Sequence, residues 1–182
     1  PLGKSGIYTI PTGVTNIDEY AFYSCSRLES VVIPESITNI ETGAFFNCRN
    51  LTSINIPDSV INIKKFAFGC CENLKSITIP DSVTNIGSYA FSGCESLQSI
   101  TIPENLKSIS FYTFGDCSSL TSMKIPKNVE EIDSYAFDNC SNLSEFIVDS
   151  NNKLYASKDG ALFDKNLETI ICCPGGKAGN FI

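Results

Sequence analysis

The sequence predicts an α/β repeat fold, a right-handed solenoid with a parallel β-sheet on its concave side and short helices or turns on its convex side. Three observations predict this fold. One hydrophobic pattern recurs at a fixed interval along the chain. Each repeat contains both a strand-like and a helix-like spacing of apolar residues. The segment between successive strands is long enough for a parallel crossover.

The chain of 182 residues repeats one pattern every 23 residues. Isoleucine-proline pairs begin at Ile10, Ile33, Ile56, Ile79, Ile102 and Ile125. Phenylalanines keep the same interval at Phe22, Phe45, Phe68, Phe91, Phe114 and Phe137. Because a unit this short buries too little surface to fold alone, we expect the units to share one core.

Each repeat contains a short strand. In the stretch LQSITIP, Ile100 and Ile102 alternate with Ser99 and Thr101, and most of these residues are β-branched. Pro103 lacks a backbone N–H and is expected to end the strand and to start the turn that follows.

The second half of the repeat predicts about two turns of helix. Ala90, Phe91 and Cys94 lie 4, 5 and 8 residues after Ile86, which is a helical spacing. Gly93 suits the end of such a helix. Roughly 16 residues then separate successive strands, which is enough for the crossover that parallel strands need.

The repeat resembles a known family. A period of 23 residues is too short for the helical repeats, which need about 33 or more, and falls in the range of leucine-rich repeats. The unit L-x-S-I-x-I-P-x-S-V-x-N-I-x-x-x-A-F-x-x-C is similar to the BspA-type leucine-rich repeat of bacterial surface proteins and parasitic protists. The resemblance implies a right-handed leucine-rich-repeat solenoid. It also implies a surface or secreted protein that binds other proteins, in several members an adhesin.

The chain is expected to have three parts. Residues 1–6 form an irregular start, in which PLG resembles the scar of a cleaved tag. Residues 7–148 hold six 23-residue leucine-rich repeats. Residues 149–182 are similar to the longer variant unit that the family inserts among regular repeats, with a core at 159–163, and we expect this unit to be truncated within a longer parent protein.

Composition argues against several function classes. The chain has 13 basic and 20 acidic residues, a net charge of −7 and scattered lysines, which disfavours nucleic acid as a partner. No apolar run approaches the roughly 20 residues of a membrane span. Without histidine, Ser–His and Cys–His nucleophile pairs are excluded, and the adjacent acids Glu130 and Glu131 fit a solvated turn. We therefore predict that the protein is not an enzyme and binds no cofactor.

Nine cysteines raise the question of metal or disulfide chemistry. Six recur at one repeat position, at Cys25, Cys48, Cys71, Cys94, Cys117 and Cys140. This spacing predicts a buried thiol column. Zinc is disfavoured without histidine, and disulfides between neighbouring coils stay open because equivalent positions offer no unique pairing. Cys70 is expected to face outward, and Cys172 and Cys173 lie in the tail.

The outward side chains of the predicted strands are the candidate ligand-binding residues. They are Asn55, Thr78, Thr101, Lys124, Gln98 and Lys75. They lack the Trp, Tyr and Arg that dominate interface hot spots, and serine and threonine rows also suit a solvated sheet. A second column, Tyr20, Phe66, Tyr89, Tyr112 and Tyr135, is expected to be half-exposed and to pack against the neighbouring coil.

The sequence thus predicts a non-catalytic protein-interaction module. The resemblance favours a cell-surface or secreted, adhesin-like protein that binds host or matrix proteins. Two alternatives stay open: an intracellular leucine-rich-repeat scaffold that binds a regulatory enzyme such as a phosphatase, and a structural spacer arm.

Overall fold

The computed structural model describes residues 6–177, whose regular elements are all β-strands. Their bounds are β1 (Gly6–Thr9), β2 (Leu28–Val32), β3 (Asn39–Ile40), β4 (Ser53–Asn55), β5 (Asn62–Ile63), β6 (Ser76–Thr78), β7 (Asn85–Ile86), β8 (Ser99–Thr101), β9 (Ser108–Ile109), β10 (Ser122–Ile125), β11 (Glu131–Ile132), β12 (Glu145–Val148), β13 (Tyr155–Lys158), β14 (Ala161–Asp164) and β15 (Ile170–Cys172). Apart from Gly6, the predicted irregular start lies outside the described residues, as does the end of the predicted variant unit.

Equivalent strands of successive repeats pair in parallel. β2 pairs with β4, β6 with β8 and β10 with β12, each with partners 23 residues apart. The two-residue strands after the prolines form a second, narrower set, in which β3, β5 and β7 pair in order and β9 pairs with β11. The predicted parallel-strand solenoid of leucine-rich-repeat type is therefore confirmed. Its handedness and its curvature stay predictions.

The prediction of short helices on the convex side is wrong, because residues 6–177 contain no helix, and hence none that could span a membrane. The segments fold as successive turns with two alternating hydrogen-bond partners. Phe46 N donates to Gly43 O three residues back (2.9 Å), whereas Phe45 N donates to Ala67 O of the next coil (2.8 Å). Alternate amides thus bond between coils, and the i→i−4 pattern of an α-helix cannot form.

The phenylalanine column forms the centre of the core. Consecutive rings from Phe22 to Phe137 have centroids 4.9–5.7 Å apart and planes within 16° of each other. The four inner rings, Phe45, Phe68, Phe91 and Phe114, are fully buried. This confirms that the repeated apolar columns point inward and that the coils share one core.

The cysteine column is buried beside the phenylalanines. In five successive steps each thiol donates to the carbonyl of a phenylalanine 26 residues earlier, with sulfur-to-oxygen distances of 3.0–3.3 Å. All nine cysteines are free thiols. The predicted thiol column is confirmed, and none of the disulfides that the sequence left open is present.

The tail departs from the parallel pattern. Strands β13, β14 and β15 form a three-stranded antiparallel sheet, which the sequence did not predict. This sheet covers the edge of β12, where Phe146 N donates to Gly160 O (2.8 Å). The chain then returns to the last coil, where Gly176 N donates to Leu143 O (2.8 Å).

Candidate interaction surface

The outward side chains of the longer parallel strands form one continuous surface, which we call the strand face. It comprises the outward residues of β2, β4, β6, β8, β10 and β12 and, for the last five of these strands, the residue before the strand. Successive side chains of a strand point to opposite sides, so Ile77 is buried in the core while Ser76 and Thr78 on either side of it are exposed.

The structure brings all six candidate residues onto the strand face, where each is exposed. Asn55, Thr78, Thr101 and Lys124 occupy the same repeat position in four successive coils, and Thr78 directly opposes Thr101. Lys75 and Gln98 form a second, shorter row, in which Gln98 N donates to Lys75 O (3.0 Å).

The side chains of these candidates have no internal partner. Within residues 6–177, none of the six forms a side-chain hydrogen bond or ion pair with another residue. Neighbouring hydroxyls on the same face differ, because Thr52 Oγ1 donates to Glu29 O (3.1 Å) and Ser53 Oγ to Ser30 Oγ (3.3 Å). The candidate row therefore presents polar groups whose hydrogen-bonding capacity is available to a ligand.

Apolar residues stand at both ends of the candidate row. Val32 and Ile147 occupy the same repeat position as Asn55 and Lys124, and they are 45% and 41% exposed. Val32 directly opposes Asn55 and Ile147 directly opposes Lys124. The row thus offers hydrogen-bonding groups at its centre and apolar contacts at its ends, a mixture that is typical of protein interfaces.

A second surface, which we call the aromatic ribbon, runs along the turn segments. It contains the predicted aromatic column and three further residues that the sequence analysis did not single out: Tyr20, Tyr23, Phe46, Phe66, Tyr89, Phe111, Tyr112 and Tyr135. The expected packing against neighbouring coils is present, and four of the eight rings are also exposed. The sequence did not indicate Tyr23, Phe46 and Phe111, because their repeat positions carry an aromatic residue in two coils at most.

The antiparallel tail holds a cavity of about 450 Å³. Its lining is largely apolar and includes Ala161, Phe163, Leu167 and Ile170. Lys158, Asp159 and Cys173 complete the lining. The volume falls in the range of small-molecule sites. Apart from Cys173, the sequence drew attention to this region only through the resemblance of the tail to a variant unit.

The thiol column has little chemical reactivity. Burial raises the pKa of Cys48 and of Cys140 to about 12, and it raises that of Cys94 well above the ordinary value of 9.0. The thiolate is the nucleophile and the metal ligand, so these side chains stay neutral at physiological pH. Over residues 6–177 no group of three potential ligands is arranged to hold a metal ion.

The paired acids singled out in the sequence have an ordinary surface role. Glu130 Oε1 accepts a hydrogen bond from Lys107 Nζ at 2.8 Å. This hydrogen bond and the charge of Lys107 lower the pKa of Glu130. A carboxyl group held ionised in this way is unsuited to general-acid chemistry. Both side chains are exposed, as expected of ordinary surface acids, although Glu131 lies in the short strand β11 rather than in a turn.

Comparison with known proteins gives the family. The protein-family model described as "BspA type Leucine rich repeat region" matches residues 6–77 and 61–177 of this chain, in six copies. A search of curated proteins finds no match.

Among solved structures, the fold is similar to that of the pneumococcal vaccine antigen PcpA, with a TM-score of 0.82, 27% identity, and coverage of 96% of this chain and 48% of that one. A leucine-rich repeat protein from Eubacterium ventriosum gives a TM-score of 0.74 and 26% identity over 96% of this chain and 46% of that one. A leucine rich cell surface protein from Faecalibacterium prausnitzii gives a TM-score of 0.54 and 26% identity, with coverage of 82% of this chain and 55% of that one. The chain spans about half the length of these relatives. The match to the family model covers the described chain, and the protein belongs to the BspA-type leucine-rich repeat family.

Proposed function

We propose that the protein is a non-catalytic protein-interaction module, displayed at the cell surface or secreted, whose strand face binds a host or matrix protein. The observation that carries this proposal is the row Asn55, Thr78, Thr101 and Lys124, which is exposed over four coils without any internal side-chain partner. Lys75 and Gln98 extend the same surface.

The architecture supports a binding role. Stacked repeats form an extended surface whose side chains vary without disturbing the core. In the strands the inward position stays apolar and buried from coil to coil, while the outward position changes from valine to asparagine, threonine, lysine and isoleucine. A surface whose polarity varies over a uniformly apolar core suits recognition of one particular partner.

The relatives support the proposed location. One similar structure is described as a cell surface protein and another as a vaccine antigen. We also propose the domain division expected from the sequence, with six regular repeats over 7–148 and a variant unit over 149–182. The variant unit would then interrupt the parallel stack of strands.

The test is a binding comparison between two matched variants. The first combines Asn55→Ala, Thr78→Ala, Thr101→Ala and Lys124→Ala on the strand face. The control combines Asn16→Ala, Thr38→Ala, Thr84→Ala and Lys127→Ala, which changes the same residue types at exposed positions outside the strand face. Attachment to immobilised fibronectin, fibrinogen, laminin and collagen is measured by surface plasmon resonance.

We expect the wild-type protein and the control variant to attach to the same matrix protein and the strand-face variant to lose at least tenfold in affinity. Equal attachment of both variants would contradict the role of the strand face. Absence of attachment by the wild-type protein to any of the four would contradict matrix binding and favour the intracellular scaffold or the spacer arm.

A further inference from the structure

The aromatic ribbon is a continuous chain of rings along the solenoid. Neighbouring rings have centroid distances of 4.7–6.1 Å from Tyr20 in the first coil to Tyr135 in the sixth. The rings at its two ends are the most exposed, with Tyr135 at 57%, Tyr23 at 49% and Tyr20 at 47%. Exposed tyrosines in a connected row are the residue type that interfaces favour.

The backbone under the ribbon is not what requires these rings. Tyr20, Phe66, Tyr89 and Tyr112 adopt left-handed backbone angles, with φ between 54° and 61°. This backbone conformation raises the conformational energy of a residue with a bulky side chain, whereas glycine adopts it without steric strain. Gly43 holds the same repeat position with φ 60°, so glycine satisfies the turn. Strained aromatic residues at a surface where glycine suffices point to a use of the rings themselves.

The ribbon already binds one cation of its own chain. Lys65 Nζ lies 5.1 Å from the ring centroid of Phe66 and 5.8 Å from that of Tyr89. Both distances are within the range of cation–π attraction. The middle of the ribbon therefore shows how a cationic side chain sits on these rings, and it is filled by Lys65.

Each end of the ribbon carries an acidic residue within two residues of its terminal tyrosine, and neither end has a lysine at the repeat position of Lys65. Glu19 holds in the first coil the repeat position that Lys65 holds in the third, and Asp133 lies two residues before Tyr135. Among the described residues, no lysine or arginine forms an ion pair with Glu19 or Asp133. An exposed tyrosine beside an uncompensated carboxylate attracts a cation by both the ring and the charge.

We propose that the aromatic ribbon binds an extended segment of a partner protein through two cationic side chains, one at Tyr20 and Glu19 and one at Tyr135 and Asp133. Arginine suits both ends, because its planar group stacks on a ring and pairs with a carboxylate. Five coil steps of about 4.8 Å separate the ends by roughly 24 Å. An extended chain spans this length in about seven residues, so the partner carries its cations about seven positions apart. This proposal does not depend on the strand face.

The probe is a synthetic ten-residue peptide of Ser, Gly and Leu with Arg at its second and ninth positions. The same peptide with citrulline at both positions keeps the shape and removes the charge. Each is titrated to millimolar concentration into the 15N- and 13C-labelled protein, and backbone and tyrosine-ring chemical shifts are followed by NMR. The arginine peptide should shift the signals of Tyr20 and Tyr135, with at least fivefold higher affinity than the citrulline peptide.

Two variants test whether the carboxylates of Glu19 and Asp133 bind the arginine side chains of the peptide. The first combines Glu19→Gln and Asp133→Asn, where asparagine keeps an oxygen that can accept the hydrogen bond which Asp133 Oδ1 receives from Tyr135 N (2.9 Å). The control combines Glu29→Gln and Glu145→Gln, which removes the same net charge from exposed positions on the strand face. We expect the first variant to weaken binding of the arginine peptide at least fivefold and the control to change it less than twofold.

Four results of the peptide titrations would overturn the proposal. They are no shift with the arginine peptide, equal affinity for the citrulline peptide, equal weakening in both charge variants, and shifts centred on the strand face. Tyr135→Leu adds a check on self-association. If the protein dimerises in light scattering and this variant is monomeric, the ribbon is an interface between two copies rather than a site for a cationic segment.

Discussion

At the residue scale, burial in the core rather than thiol reactivity explains why cysteine recurs at one repeat position. Each inner thiol is buried against the phenylalanine column and donates to a carbonyl of the preceding coil. The sequence predicted this column from its spacing alone, because free cysteine packs like a small apolar residue. The structure adds the hydrogen bond, which gives the thiol proton a partner, while the same carbonyl also accepts from a backbone N–H of its own coil, as Phe68 O does from Cys71 N (3.3 Å).

The buried thiols predict a loss of stability at alkaline pH. Burial raises the pKa of Cys94 well above its ordinary value of 9.0. Thiols therefore ionise first in the unfolded chain, so their contribution to stability is full below about pH 9 and is lost as pH rises toward the folded-state value. Each such thiol removes about 1.4 kcal/mol per pH unit above pH 9.

Urea unfolding at pH 7, 9, 10 and 11 measures this effect, with Cys94→Ala as the comparison. The variant should be less stable than the wild type at pH 7 because of its cavity, and the difference should shrink as pH rises above 9. A difference that stays constant up to pH 11 would contradict the inferred shift of the Cys94 pKa.

At the element scale, the turn segments explain why helices were predicted wrongly. Ala90, Phe91 and Cys94 have helical spacing because all three point into the core, and this spacing alone does not define the backbone. Each turn segment contains a residue with a left-handed backbone, such as Tyr89, and this residue is incompatible with a continuous helix. An aromatic residue gives no sequence hint of that conformation, since glycine is the usual sign.

Gly43 tests how the turns and the ribbon depend on each other. Its φ is 60°, and a Cβ there would overlap the ring of Tyr20. We expect Gly43→Ala to lower the free energy of unfolding by about 1–3 kcal/mol, from the left-handed backbone and the displaced ring. Gly13→Ala is the control, because its Cβ would meet no atom within 4 Å. Equal stability of the two variants in urea melts would contradict this packing.

Asn152 holds the antiparallel tail on the parallel stack. Its side chain is buried and donates to Pro126 O (2.8 Å) and Val129 O (3.1 Å), while its Oδ1 accepts from Leu154 N and Tyr155 N at 2.9 Å each. The resemblance to a variant unit indicated that the tail differs from the regular repeat. It did not indicate the antiparallel sheet, because the contacts that place it reach back to a different coil.

Asn152→Ala should therefore lower the free energy of unfolding by about 2–4 kcal/mol, because it leaves buried polar groups without partners. Amides of the tail strands should exchange faster with solvent, as hydrogen-exchange mass spectrometry would show. Asn151→Ala is the control, since Asn151 is exposed and bonds only to Asp149 within its own turn. Unchanged exchange in the Asn152 variant would contradict the anchoring role.

At the scale of the whole molecule, the repeated columns made the fold predictable, and the surfaces were only partly so. The strand face followed directly from the alternation of Ile77 with Ser76 and Thr78, because a fixed period fixes the side on which every residue lies. The aromatic ribbon did not follow, because rings from three different columns join across coils, as where Phe46 contacts Phe66. Such contacts depend on side-chain reach between coils, which periodicity does not encode.

A stack in which each coil touches only its neighbours makes the cost of a core substitution depend on its place in the stack. Phe91 lies between Phe68 at 5.4 Å and Phe114 at 5.7 Å and is fully buried. Phe22 lies near the start of the described chain, where its outer neighbour is the half-buried Tyr8.

The most direct measurement of the shared core is urea unfolding of Phe91→Ala and Phe22→Ala, each compared with the wild type. The account predicts a loss of about 3–5 kcal/mol for Phe91→Ala and a loss smaller by about 1 kcal/mol or more for Phe22→Ala. Equal losses at the two positions would contradict a core built by stacking one coil on the next.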